Sequence, residues 1–395
     1  MKIQLNKLYK FLILIFFWTV LPLLSVELIM ILLEPYLSIG MYQYDPDLGF
    51  KVRPYFGRTN QFGFNDRDYP IPKTPENYRI LMISDSFGWR GGLEGNYTAL
   101  LEHNFETHYG QHQIDVINTG YIGTHVGEHL AMLKKYGIQY QPDLVILGFF
   151  AGNDFIDADP NRKRIIVNDL FVDIDKHQEL KIMGYPIISK SRLLLFIQQK
   201  YKIAQELARA KKETRPTEEL KPNSLEVLET KPKELPAAAE EGFFTRETYL
   251  AIVRAKMDFC NKYNLKLNFH QEHIQFVFDS IDEMNELLEH QSIKLFVAIY
   301  PDEYQVNEKL FQDVIAEFDL DEIHYERFCQ QIILKQHLEA KNIPYLDLLE
   351  TFQSEAKNKD LYLLRDTHWN HQGEKLAADL LFQWILPEVE LYFQE

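Results

Sequence analysis

From Tyr78 onward, short continuous apolar runs alternate with longer stretches whose apolar residues recur at helical spacing. The runs Tyr78–Ile83, Ile114–Asn118, 143–150 (Leu144, Val145, Ile146, Leu147), Lys294–Tyr300 (Leu295, Phe296, Val297, Ala298, Ile299) and the weaker 345–348 predict five strands. Residues 96–108, 126–136 and 272–288 predict helices, the last through Ile274, Val277, Phe278, Ile281 and Met284 set among acids. A strand that is apolar on both faces needs cover on both faces, and helical crossovers supply it. The pattern therefore predicts an α/β fold, a three-layer α/β/α sandwich around a mostly parallel five-stranded sheet. In such sheets function collects beyond the carboxyl ends of the strands.

The N-terminus follows a different pattern. Residues 11–33 are apolar except for Thr19, Ser25 and Glu27, the length a tilted helix needs to cross about 30 Å of hydrocarbon. Pro22 lies within the stretch, which a membrane helix tolerates better than a soluble one. Lys2, Lys7 and Lys10 precede it, whereas Glu34, Asp45 and Asp47 come first after it, so residues 1–10 are expected in the cytoplasm and the bulk of the chain outside, periplasmic or extracellular. A cleaved signal peptide and a buried core helix are the competing readings. Glu34-Pro35-Tyr36-Leu37, in place of a small-x-small cleavage site, favours a retained single-pass anchor. Glu27 is costly near the bilayer centre and cheaper near an interface.

Residues 34–77 read as an irregular lead-in, rich in Gly, Asn, Asp, Pro and aromatics. An insertion at 157–290 then separates a first part of the folded domain, 78–156, from a second, 291–395. Within it, 211–241 carries Pro216, Pro222, Pro232 and Pro236 among many charges, the composition of a disordered linker, while 193–210 and 247–263 have helical spacing. The insertion reads as a lid, as a dock for a protein partner, or as a tolerated surface excursion.

Composition narrows the partners. The 395 residues suffice for one large or two modest domains, and 46% hydrophobic content rules out a wholly disordered chain. The balance of 42 Lys+Arg against 58 Asp+Glu, net −16, and the lack of a basic face interleaved with aromatics argue against nucleic acid. Two cysteines, Cys260 and Cys329, are too few for a disulfide framework or a thiolate zinc site; they read as buried small hydrophobes or as one bridge.

Four segments carry candidate chemistry, each with a bland alternative. Ser84-Asp85-Ser86-Phe87-Gly88 follows the first strand run and would expose the Ser86 hydroxyl in a tight turn, although a serine there is commonly only a turn residue or helix cap. Asn118-Thr119-Gly120-Tyr121-Ile122-Gly123 follows the second, where glycine lets a backbone amide approach a ligand or simply makes a turn. Gly152-Asn153-Asp154 follows the third, with an amide able to donate to a developing oxyanion or to serve as turn chemistry. Asp366-Thr367-His368-Trp369-Asn370-His371-Gln372-Gly373 opens a helix continued by Leu376, Ala377, Leu380 and Leu381. Its Asp and His residues alone would also suit a metal, but no further ligand stands at a recognisable spacing. An early serine with a late carboxylate and imidazole is what acyl transfer by a nucleophilic serine requires.

In this order the segments resemble those of the SGNH hydrolases, the GDSL esterase/lipase superfamily, across the region from Tyr78 to Leu381 apart from the insertion. The resemblance implies a flavodoxin-like SGNH fold with Ser86 as nucleophile, His368 as general base and Asp366 as the group that orients it. It also implies an oxyanion hole from the Ser86 amide, Gly120 and Asn153. His368-Trp369-Asn370-x-x-Gly373 follows the family's His-Pro-Asn-x-x-Gly with tryptophan for proline; Ser84 stands where glycine is usual, and Asp366 is one residue closer to the histidine. Asp-x-His-Trp is similar to a segment of the alginate O-acetylation proteins, where it precedes the serine. Asp85, Asp154 and Asn370 are expected to support turns. The reading implies no metal or organic cofactor. It points to an esterase removing a small acyl group, such as acetyl, from extracytoplasmic polysaccharide, or to an O-acyltransferase with the same Ser-His-Asp site. A non-catalytic scaffold for envelope or polysaccharide assembly is the opposing class, and a metal-dependent phosphoesterase a third. Expected partners are an acylated small molecule or glycan, the membrane through the N-terminal helix, and a protein docking on the insertion.

Overall fold

Five buried strands form the centre of the fold: β1 (Tyr78–Ile83), β2 (Ile114–Asn118), β3 (Leu144–Phe150), β4 (Lys294–Tyr300) and β5 (Tyr345–Asp347). Every residue of β1, β2 and β3 is buried, as is every residue of β4 except Lys294, so runs apolar on both faces are covered on both faces. In this computed structural model the order is β5-β4-β3-β1-β2 with all neighbours parallel. Ile80 pairs with Leu144 and Val297 with Leu147. The structure describes residues 9–11, 13–14, 16–37, 41–110, 114–167, 170–175, 181–182, 185–186, 191–194, 197, 201, 242–266 and 270–394. The expected linker at 211–241 and most of the expected helix at 193–210 lie outside them.

The principal helices around the sheet are α1 (Ser86–Trp89), α2 (Tyr97–Tyr109), α3 (Val126–Lys135), α4 (Arg246–Phe259), α5 (Gln271–Glu289), α6 (Glu308–Glu317), α7 (Cys329–Lys341) and α8 (His371–Gln394). On one face, Leu101 and Phe105 of α2 and Ala377, Leu381 and Ile385 of α8 pack with Ile80, Met82, Val116, Leu144 and Ile146. Elsewhere α5 packs on α3 and on β4. The result is the three-layer sandwich with a parallel sheet that the pattern predicts. The order reverses between β1 and β3, and the crevice outside the carboxyl ends of strands at such a switch point is where open α/β sheets bind ligands. Ser86 follows β1 and Asn153 follows β3.

The chain forms two units, Val52–Pro160 with Ala239–Glu395 around this sheet, and Met1–Lys51 with Asn161–Ala238. In the second, Tyr9–Leu32 is one helix long and apolar enough to cross a membrane, by length and composition. Its one acid, Glu27, accepts from Ser191 Oγ at 2.8 Å, from Arg192 N–H at 2.6 Å and from Leu193 N–H at 2.9 Å. Three donors offset part of the cost of a carboxylate in an apolar helix. An antiparallel pair, Arg162–Val167 with Leu170–Asp175, belongs to the same unit.

Two details differ from the sequence reading. The helix expected at 247–263 ends at Phe259, and Lys262–Lys266 forms a separate short helix. The break is at Cys260, which is bonded to Cys329 at the start of α7, with 5.7 Å between the Cα atoms. The cysteines, spaced 69 residues apart, are therefore a bridge and not two buried thiols. Closing a loop of that length removes chain entropy from the unfolded state, worth about 4 kcal/mol on a chain-entropy account. Replacing both (Cys260→Ser with Cys329→Ser) is expected to lower the unfolding free energy by about 3–4 kcal/mol in urea titrations. Reductant should lower the wild type equally and leave the double variant unchanged.

The lead-in is not wholly irregular: the N-terminal helix runs on to Leu37, and Tyr42–Asp45 and Gly49–Val52 form a two-stranded sheet. The residues after Val52 form no further strand or helix before β1, yet they are not peripheral. Asn60 Oδ1 accepts the amides of Phe62 and Phe64, at 3.0 and 3.1 Å. Phe64 is buried with its ring 5.3 Å from that of Tyr121, the residue after Gly120.

Candidate active site

The turn after β1 is built to present a hydroxyl. Asp85 caps α1 by accepting from Phe87 N–H at 3.0 Å, which leaves Ser86 as the first helical residue, partly exposed. Phe87 points the other way, its ring 4.6 Å from Phe150 and 4.7 Å from the buried Trp369. The tryptophan standing where the family has proline thus fills the core beneath the turn. Ser84, where glycine is usual, is buried with its hydroxyl 3.2 Å from Tyr97 OH, which itself receives a bond from Tyr300 OH at 2.9 Å.

The late segment arrives at this turn. His368 Nε2 lies 2.8 Å from Ser86 Oγ, and His368 Nδ1 lies 2.6 Å from Asp366 Oδ1. A carboxylate accepts only, so Nδ1 carries the imidazole proton and Nε2 is the acceptor facing the hydroxyl. Asp366 Oδ1 also takes the His368 backbone N–H at 3.2 Å, so the one-residue-shorter spacing closes a small ring that fixes the imidazole. Asp366 is buried. Burial by itself would raise its pKa, but the bond to His368, the His368 charge and Arg90 outweigh it and hold the carboxyl below its usual range. Asn370 Oδ1 accepts from Gln372 N–H at 2.8 Å and Gly373 N–H at 3.1 Å, capping α8, the turn-supporting role expected of it.

The expected oxyanion donors are arranged differently from one another. Gly120 N–H donates to Asn118 Oδ1 at 2.9 Å, and Asn118 Nδ2 donates in turn to Gly88 O at 2.6 Å. The single amide proton of Gly120 is therefore already engaged, and what Gly120 supplies is a close approach of backbone to the turn that carries Ser86. Asn153 Nδ2 donates to Asp157 Oδ2 at 2.9 Å, which leaves its second amide proton available. Asp154 Oδ2 accepts from Phe150 N–H at 2.8 Å, so both Asp85 and Asp154 tie down turns. Burial pushes both carboxyls upward, and for Asp154 the neighbouring Asp85 adds to the push.

Arg90 and Asn96 are among the residues that escaped the sequence reading. Arg90 NH1 lies 2.7 Å from Asp366 Oδ2 and 3.4 Å from His368 Nδ1, giving the carboxylate a second partner beside the imidazole. Asn96 Nδ2 donates to Phe87 O at 2.8 Å and Gly88 O at 3.0 Å while its Oδ1 caps α2 through Thr98 N–H at 2.8 Å. The four-residue spacing of Arg90 from Ser86 was the only local sign of the first; the second reads as an ordinary N-cap. Among the described residues no group of three or more His, Cys, Asp or Glu could hold a metal ion.

Ser86, His368 and Asp366 thus meet at the switch point of a parallel sheet, the position at which open α/β sheets bind ligands. Residues 259–392, about a third of the chain, match the family described as SGNH hydrolase-like domain, acetyltransferase AlgX, a span that includes Asp366 and His368 but not Ser86. None of the curated proteins compared matches the chain. Among solved structures it is similar to a lipase/acylhydrolase from Enterococcus faecalis (12% identity, 78% of this chain and 95% of that one, TM-score 0.34). It is also similar to a GDSL-like lipase from Bacteroides thetaiotaomicron (10%, 81% and 93%, 0.36). A catalytic mutant of an acetylxylan esterase from Geobacillus stearothermophilus is a third (14%, 79% and 95%, 0.37).

Proposed function

We infer that this chain is a membrane-anchored serine esterase of SGNH type that removes a small acyl group, acetyl in the simplest case, from extracytoplasmic polysaccharide. The observation that carries the reading is the 2.8 Å contact between Ser86 Oγ and His368 Nε2, with the far ring nitrogen held by Asp366. Ser86 attacks the ester carbonyl carbon as its proton passes to His368; Asp366 orients the ring and stabilises its charge. The Ser86 amide and the remaining Asn153 amide proton face the oxyanion, and Gly120 joins them if Asn118 releases its N–H. Collapse breaks the ester C–O bond, and the proton returns from His368 to the leaving alkoxide. Water then attacks the acyl-serine with His368 again taking the proton, and Ser86 is released.

Transfer to a sugar hydroxyl in place of water is the second reading, favoured by the acetyltransferase in the description of the matched family. The compartment is supported by the apolar helix Tyr9–Leu32 and by the Cys260–Cys329 bridge, since disulfides persist in oxidising surroundings.

The test is covalent labelling of the full chain in detergent by a fluorophosphonate probe, followed by acetylated oligosaccharides with and without an unacetylated acceptor. Labelling at Ser86 with release of free acetate is the expected result, and acetylated acceptor would select transfer. A chain that stays unlabelled while folded would be a scaffold. Activity lost to a chelator would replace the serine mechanism with a metal-dependent one.

A further inference from the structure

Lys256 is a largely buried lysine that the acyl-transfer mechanism does not use. It projects from α4, its side chain 12% exposed, and its Nζ lies 2.5 Å from Asp302 Oδ2, which is fully buried. The same ammonium donates at 2.8 Å to Oγ1 of Thr367, the residue between Asp366 and His368. It also lies 5.0 Å above the Phe150 ring, at the end of β3 just before Gly152 and Asn153. Gly152 is close packed against the same carboxylate: a Cβ there would stand 2.2 Å from Asp302 Oδ2. One charge pair therefore joins three segments: the loop after β3 that carries Asn153, the loop after β4 that carries Asp302, and the Asp366–His368 segment.

The helix that delivers Lys256 is itself held in place. Tyr249, two turns earlier on the same face, lies with its hydroxyl against the Glu303 carboxylate and 3.4 Å from the Asp366 carbonyl oxygen. Tyr249, Leu250, Val253 and Met257 pack with Tyr304, Phe311 and Val314. Beyond the last turn of α4, Cys260 is bonded to Cys329. A buried ammonium is costly unless paired, and apolar residues would satisfy a purely structural need at least as well. What apolar residues could not do is donate to Thr367.

We propose that Lys256 is a positioning residue for acyl transfer: through Thr367 it fixes the segment that carries Asp366 and His368, so that the imidazole stays within proton-transfer reach of Ser86. The inference rests on the serine acyl-transfer reading. A displacement of the base by about 1 Å is enough to cost on the order of 100-fold in rate.

The experiment compares full-length wild type, Thr367→Val, Thr367→Ser and Lys256→Met. The readouts are fluorophosphonate labelling rate at Ser86, kcat and KM on a short-chain aryl ester, and melting temperature. Thr367→Val removes only the acceptor hydroxyl and leaves the Lys256–Asp302 pair intact. It is expected to lower kcat and the labelling rate about 10–100-fold, with KM within about twofold and an unchanged melting temperature. Thr367→Ser restores the hydroxyl and should restore both rates. Lys256→Met should lose at least as much; because it strands Asp302 it could also melt early, and then Thr367→Val decides alone. Wild-type rates in a folded Thr367→Val would overturn the positioning role while leaving the serine mechanism standing. An inert wild type would remove the acyl-transfer reading, and this inference with it.

Discussion

Ser86→Ala is expected to abolish turnover of a short-chain aryl ester while leaving the fold intact. The reason is in the geometry of one hydroxyl. Ser86 Oγ is bonded to His368 Nε2 and contributes nothing to the core, since the residues that hold its turn are Asp85, Phe87, Gly88 and Asn96. Removing the nucleophile of a Ser-His-Asp site costs on the order of 10⁶ in kcat, about 8 kcal/mol of barrier. His368→Ala should cost nearly as much, and the double variant no more than either, because a nucleophile and its base act as one unit. The assay is kcat on the aryl ester with melting temperature as control, and additive losses would show that the two side chains work separately. Retention of wild-type activity in Ser86→Ala would place the chemistry elsewhere in the molecule.

The fold was legible because burial on both faces leaves continuous apolar runs, and β1, β3 and β4 are such runs almost residue for residue. β5 was the weakest expectation and is also the shortest of the five strands, its residues only partly buried, at the sheet's edge. Ser86 and His368 were legible because the turn after a strand and the mouth of a helix are positions where local sequence dictates exposure. Their partners were not. Arg90, Lys256 and Thr367 acquire their roles from contacts across long stretches of chain, Arg90 to Asp366 and Lys256 to Asp302 among them, and no local period encodes such a pairing. Cysteine spacing likewise says nothing of whether Cys260 and Cys329 meet, because that depends on where α4 ends relative to α7. The Gly120 amide shows the same limit at short range: its engagement by Asn118, two residues back, depends on Asn118 also reaching Gly88 across the turn.

Gly120→Ala is expected to lower both stability and activity although it leaves every polar group in place. A Cβ at this position would stand 2.5 Å from Gly88 Cα, 2.6 Å from Gly88 C and 2.8 Å from Trp89 N, all backbone atoms of the helix that Ser86 opens. Side chains can turn aside; these atoms can move only if the nucleophile turn moves with them. The opposite substitution meets the same wall, since a Cβ on Gly88 would stand 2.9 Å from Gly120 Cα and 2.3 Å from Ser84 Oγ. Overpacking of this kind costs about 1–3 kcal/mol of stability. The accompanying shift of Ser86 away from His368 is expected to lower kcat by about 100-fold or more, since sub-ångström placement governs the proton transfer. Gly95→Ala is the matched control: no atom lies within 4 Å of its Cβ position, so activity and melting temperature should both hold. The alanine at position 120 keeps the backbone N–H, so a loss of activity together with a lowered melting temperature reports the backbone contact and not a missing donor. A variant as stable and as active as the wild type would mean that the two backbones are not in contact in solution and that something other than this glycine pair sets the position of the serine.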